Sequence, residues 1–231
     1  MAQADGFVAI ELAQRCGPHS TVFAADRWKP VVERLRRKIA YLGIRNLHVL
    51  EQDAADLDIP ESSIDVITSN LGINNFENVD AVLQKCFRLL KPDGLLLLTT
   101  NLVGHMRELY DVYRQTLIEV DLTDRLSFLE AHIAHRATIE SLRAQLEGAG
   151  FQVVAVTERS FQMRFADGSS LLRHYFTRLG FLEGWMNVVP PELVEKTFLT
   201  LERNLNSVAA ERVELALSIP MACIEGRRPR L

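Results

Sequence analysis

Between residues 6 and 100 the hydrophobic pattern switches back and forth between the helical period and short β-rich runs. Strands that alternate with helices are laid parallel through helical crossovers, so this pattern confines the chain to an α/β sheet. Val8, Leu12 and Cys16, with Ala9 and Ala13 beside them, mark a helix over Phe7 to Cys16, and TVFAA at 21–25 reads as a strand running up to Asp26. Pro30 suits a first helical turn, and Val31, Val32, Leu35, Ile39 and Leu42 continue that helix until Gly43 stops it. Strands follow at 47–51 (LHVLE) and 64–69 (IDVITS), a further helix has room in the 52–63 loop, and a helix spans 77–90. KPDG at 91–94 breaks that helix before LLLLTT at 95–100, the most buried-looking strand.

Beyond residue 100 the texture turns helical, at 104–119, 122–134 and 138–147, before FQVVAVTE at 151–158 returns to strand. Residues 160–190 form an insertion rich in Phe161, Phe165, Tyr175, Phe176, Phe181 and Trp185. Pro191 opens a helix to about 211, and 214–226 closes the pattern as a strand that includes IEGR. The expected organisation is one domain over 1–231, with a core at 1–100, a helical lid at 101–150, and the last two strands with their insertion at 151–231.

Charge narrows the partners. With 26 Lys+Arg against 30 Asp+Glu the net charge is −4, and no long basic run offers the footprint that a phosphate backbone needs, so nucleic acid is not expected. Cys16, Cys86 and Cys223 are an odd number at wide spacing, which suits a reducing compartment and gives no disulfide framework. No apolar stretch reaches the length of a membrane span and MAQADG lacks signal-peptide character, so a cytoplasmic protein is expected.

Four signals lie at or beside the C-terminal ends of successive strands, where open parallel sheets bind ligands. Asp26 could accept both ribose hydroxyls of a nucleoside, or be an idle surface acid. In QDAADL at 52–57 the Asp53 carboxylate could accept from an adenine amino group and the Ala54 amide could donate to a ring nitrogen, although an Asx-turn or helix cap explains Asp53 equally well. SNLGINNF at 69–76 brings Asn70, Gly72 and Asn74 to the end of the next strand, as a polar turn or as a site wall. LLKPDGLLLLTT at 89–100 is architectural.

In order and spacing these four resemble the class I S-adenosylmethionine-dependent methyltransferases, in the small-molecule, type 11-like branch with a quinone- or sterol-methylase-like core. The resemblance runs from about Gly6 to Thr100. It implies a three-layer, Rossmann-like sandwich of strand order 3-2-1-4-5-7-6 with an antiparallel last strand. It further implies S-adenosylmethionine as cofactor, with Asp26 on the ribose, Asp53 and Ala54 on the adenine, Asn70 beside the methyl-transfer site, and KPDG as the turn before the fifth strand. Transfer to a small, hydrophobic acceptor follows, by in-line displacement at the sulfonium carbon, with room for a homodimer. Proximity supplies most of that catalysis, so no catalytic base is assigned.

One family element is missing. Members begin with a strand and a glycine-rich loop, whereas here only Gly6 can stand for the last glycine of that loop. The expectation is therefore a sheet without its first strand, an upstream true start or a fragment, and weak binding of S-adenosylmethionine. A non-catalytic remnant that uses the aromatic insertion as a scaffold is the alternative function.

On the acceptor side, Asn74 lies in the SNLGINNF turn, His105 and Arg107 follow the fifth strand, and His174 and Tyr175 lie in the insertion, each a candidate substrate contact or a polar surface group. His132 and His135 sit three apart with no third ligand in evidence, so no metal is expected.

Overall fold

The computed structural model describes residues 6–230. In chain order the elements are α1 (Phe7–Cys16), β1 (Val22–Asp26), α2 (Lys29–Leu42), β2 (Leu47–Glu51), β3 (Ile64–Asn70), α3 (Val79–Leu89), β4 (Leu90–Asn101), α4 (Arg107–Glu119), α5 (Leu126–Ala134), α6 (Ile139–Gly148), β5 (Gln152–Phe165), α7 (Gly168–Arg173), α8 (Tyr175–Gly180), α9 (Leu182–Met186), α10 (Val194–Arg212) and β6 (Leu215–Arg227). Two compact units divide the chain: Met1–Thr100 with Ile139–Glu158 and Ala222–Leu231, and Asn101–Thr138 with Arg159–Met221.

Local chemistry sets the helix ends in the first unit. Pro30 enters α2, and Gly43, at φ 66°, ends it as the Ile44 N–H reaches back to the Ile39 carbonyl at 3.1 Å. Asn78 caps α3 by accepting the Ala81 N–H at 3.0 Å. At the other end of α3, the Arg228 guanidinium donates to the Phe87 and Arg88 carbonyls at 3.0 and 3.1 Å and stacks over the Phe87 ring. Buried Ala9, Ala13, Ala24, Leu35 and Leu47 pack α1 and α2 onto the first two strands.

The strands form two sheets, β1-β2 and β3-β4-β6-β5. Within them β1 and β2 are parallel, as are β3 and β4. The Asp93 N–H bonds to the Arg228 carbonyl and the Leu102 N–H to the Pro220 carbonyl, so β6 runs antiparallel to β4. Written as β2-β1 and β3-β4-β6-β5, these neighbours reproduce the order implied by the resemblance with strand 1 left out. Among the described residues no strand bridges β1 and β3. The expectation that no strand precedes Gly6 falls on residues 1–5, which lie outside those described.

Three local expectations need correction. Residues 52–63 hold no helix: the Asp53 side chain and carbonyl take the Ala55 and Asp56 N–H groups at 2.9 and 3.1 Å, closing a single turn, and Pro60 cannot donate to a continuing one. KPDG is not a turn ahead of its strand but lies inside β4 as a bulge, since Ile64 pairs with Leu90 and Val66 already pairs with Leu95. Gly94 is required there, because a Cβ would stand 2.8 Å from the Lys91 carbonyl oxygen. Finally, β5 continues past Glu158 to Phe165, as Met163 and Phe165 alternate with Gln162 and Arg164 and pack on apolar residues of the second unit.

The second unit has its own core, in which Met106, Leu109, Tyr113, Leu117, Trp185, Leu201 and Leu205 are almost wholly buried. Buried Tyr113 donates its hydroxyl to the Trp185 carbonyl at 2.9 Å. Packing thus accounts for Trp185 and part of Phe165 and Phe181 in the aromatic insertion, while Phe161, Tyr175 and Phe176 stay exposed.

Candidate functional site

In the first unit, parallel pairing brings the sequence-predicted acids together. Asp26 stands opposite Glu51 in the β1/β2 register, and the Gln52 N–H donates to the Asp26 carbonyl at 3.2 Å, which sets Asp53 and Ala54 beside the end of β1. One Asp26 carboxylate oxygen accepts the Trp28 N–H at 2.8 Å. Asp53 Oδ1 closes its Asx-turn, and Oδ2 lies 3.7 Å from the Arg27 guanidinium, which also bonds Glu77 at 2.5 Å. Asp26, Asp53 and Ala54 are half-buried, as a wall contacting a small ligand should be.

At the end of β3, Asn70 is exposed and its Oδ1 accepts the Thr99 hydroxyl at 2.5 Å. Asn74 accepts the Thr100 hydroxyl in the same way, at 2.5 Å. Leu71 between them adopts a left-handed conformation at φ 59°, which turns the chain sharply where the strand ends. Gly6 is buried at φ 72°, caps α1, and leaves no space for a Cβ, which would meet Leu35 Cδ1 at 2.3 Å.

The remaining candidates belong to the second unit, and they separate. Arg107 is exposed and pairs with neighbouring Glu108, at 3.2 Å. His174 and Tyr175 are exposed where α7 meets α8, with His174 edge-on to Phe165. His105 is not a solvated helix start but is 3% exposed, with Nδ1 unpartnered among the described residues and its ring stacked on Phe181 at 5.8 Å. Burial, then the positive charges of Arg136 and His135, push its pKa down to about 4.

Arg27 and Thr99 were not singled out from the sequence. Arg27 had a usable signal, since it directly follows Asp26 at the end of β1, whereas Thr99 meets Asn70 only through the β3/β4 register.

A methyltransferase-domain family model matches residues 2–98, which contain Gly6, Asp26, Asp53, Ala54 and Asn70. This match and the relatives below support a class I S-adenosylmethionine-dependent methyltransferase. S-adenosylmethionine is accordingly its cofactor. The chain is 29% identical over 168 residues to the ubiquinone/menaquinone biosynthesis C-methyltransferase UbiE of Shewanella pealeana, covering 68% of this chain and 66%, just under two thirds, of that protein. It is 27% identical to the nocamycin O-methyltransferase of Saccharothrix syringae, covering 96% of this chain and 81% of that one. A crystal structure from Bacillus halodurans C-125 shares the fold with a TM-score of 0.62 at 18% identity, covering 98% of this chain and 90% of that chain. Among the described residues no helix is long and apolar enough to cross a membrane, and no group of three or more His, Cys, Asp or Glu is placed to hold a metal ion.

The residues present fit the cofactor. Only one oxygen of Asp26 is taken by Trp28, Asp53 Oδ2 is beyond hydrogen-bond distance of Arg27, and the left-handed Gly6 opens the start of α1 to close backbone approach.

Proposed function

We propose that the protein transfers a methyl group from S-adenosylmethionine to a small, hydrophobic acceptor, and that Gly6, Asp26, Asp53, Ala54 and Asn70 form the cofactor site. The observation that carries this reading is the arrival of Asp26, Asp53 and Asn70 at the C-terminal ends of β1, β2 and β3 in the first unit. When bound, S-adenosylmethionine supplies an electrophilic methyl carbon on a sulfonium. Asp26 accepts the ribose hydroxyls, Asp53 and the Ala54 amide read the adenine edge, and Gly6 admits the methionine end to the N-terminus of α1. Asn70, held by Thr99, orients the reacting end.

Calorimetry with S-adenosylmethionine tests the site. Binding that weakens at least about tenfold in Asp26→Ala supports it. Binding unchanged in that variant would sink it. A scaffold role remains a second reading, favoured by the exposure of Tyr175, Phe176 and Leu179 on α8.

A further inference from the structure

Arg27 stands between two carboxylates and donates to one of them. Its Nη1 gives a hydrogen bond to Glu77 Oε1 at 2.5 Å, across 50 positions of the chain, while the same nitrogen lies 3.7 Å from Asp53 Oδ2. The first contact is a charge-assisted bond and the second is too long to be one. All three residues belong to the first unit, where Arg27 follows β1, Asp53 follows β2 and Glu77 precedes α3.

Each carboxylate is placed without help from Arg27. Asp53 Oδ1 accepts the Ala55 N–H at 2.9 Å, which fixes the carboxylate plane and turns Oδ2 towards Arg27. Glu77 is set by its neighbours, since Asn78 caps α3 through the Ala81 N–H at 3.0 Å and Asn74 accepts the Thr100 hydroxyl at 2.5 Å. As a contribution to stability the Arg27–Glu77 pair is small, because the two side chains are 49% and 78% exposed. Its consequence lies in what Arg27 would do without it. A guanidinium released from Glu77 needs to move only about 1 Å to bond Asp53 Oδ2. A paired Asp53 accepts less readily from a 6-amino group, and the guanidinium beside it favours a base that presents a 6-oxo acceptor in the same place.

We propose that Glu77 is a positioning residue that sets base specificity. By holding Arg27 it keeps Asp53 Oδ2 open to the 6-amino group of adenine, so that the protein rejects 6-oxopurine analogues of its cofactor. The inference rests on the assignment of Asp53 to the adenine proposed above, and adds to it the pair of side chains that keeps Asp53 in its accepting state.

S-adenosylhomocysteine and its deaminated counterpart S-inosylhomocysteine differ only at the base edge, 6-amino against 6-oxo, and both are titrated into the full chain by calorimetry. The unsubstituted protein is expected to prefer the adenosyl compound by at least about tenfold. Glu77→Gln is expected to narrow that preference to within about threefold, and adding Arg27→Gln to restore at least about tenfold, since no guanidinium is then left to close on Asp53. Arg27→Gln alone keeps the preference. If the pair merely ties two loops together, each variant weakens both ligands alike and the ratio stays as it was, which would overturn the proposal. A ratio narrowed in Glu77→Gln but not restored by Arg27→Gln would overturn it too. Asp53→Asn tells the two ideas apart. Discrimination lost in Asp53→Asn but kept in Glu77→Gln removes this inference alone. Discrimination unchanged in Asp53→Asn, or no binding of either ligand by the unsubstituted protein, removes the assignment of Asp53 to the adenine and this inference with it.

Discussion

The Thr99 hydroxyl donates to Asn70 Oδ1 at 2.5 Å, and the same residue receives the Leu71 N–H on its carbonyl at 3.0 Å and on its hydroxyl at 3.2 Å. One residue of β4 therefore holds both the side chain at the end of β3 and the left-handed turn that follows. Thr99→Val removes the two hydroxyl contacts while keeping the β-branched shape, and is expected to cost about 1 kcal/mol in urea unfolding. It is also expected to weaken S-adenosylmethionine binding, and Thr99→Ser to restore it. If Thr99→Val binds the cofactor as well as the unsubstituted protein does, Asn70 needs no such anchor.

Gly6 combines a φ of 72° with a Cβ direction aimed at Leu35, in the packed layer of Ala9, Ala13 and Ala24. Gly6→Ala is expected to destabilise by about 2–4 kcal/mol, combining left-handed strain with overpacking. Thermal unfolding measures this, and an unchanged midpoint would show that α1 can shift away from Leu35 without cost.

Burial, together with the charges of Arg136 and His135, lowers the His105 pKa from 6.5 to about 4. Between those values the unfolded chain binds the extra proton, so this group's contribution is fully present above pH 6.5 and is lost as the pH falls towards 4. The loss is expected to be about 3 kcal/mol. His132 and His135 are shifted in the same direction and add to the slope. Unfolding free energies of the unsubstituted protein and His105→Gln should therefore converge as the pH is lowered from 7 to 4.5, and parallel profiles would exclude a depressed His105.

Burial pushes the Cys86 thiol up to about 12, whereas Cys16 is exposed at the end of α1. At pH 8 only about one Cys86 in ten thousand is thiolate, so iodoacetamide should label Cys16 in the native protein and reach Cys86 only after denaturation. Peptide mass spectrometry resolves the two sites, and comparable native rates at both would contradict the burial of α3.

The acids at the strand ends were legible because each follows its strand directly. Asp26 terminates TVFAA and Asp53 comes two residues after LHVLE, so periodicity alone puts them at one edge of a parallel pair. The second-unit candidates were legible only as residue types. His105 reads as the start of an exposed helix, yet it is buried because Phe181, 76 positions later in the chain, stacks on it.

From the sequence alone follow the alternation of helices and strands and the strand-end positions of Asp26, Asp53 and Asn70, since these rest on short-range periods and spacings, whereas the family and the cofactor were implied by resemblance. Tertiary structure alone decides that KPDG is a bulge within β4, that His105 is buried under Phe181, and that Tyr110 meets His132 and Trp185. Strand pairing and burial depend on partners tens of residues away, and no local pattern records which partner will be met.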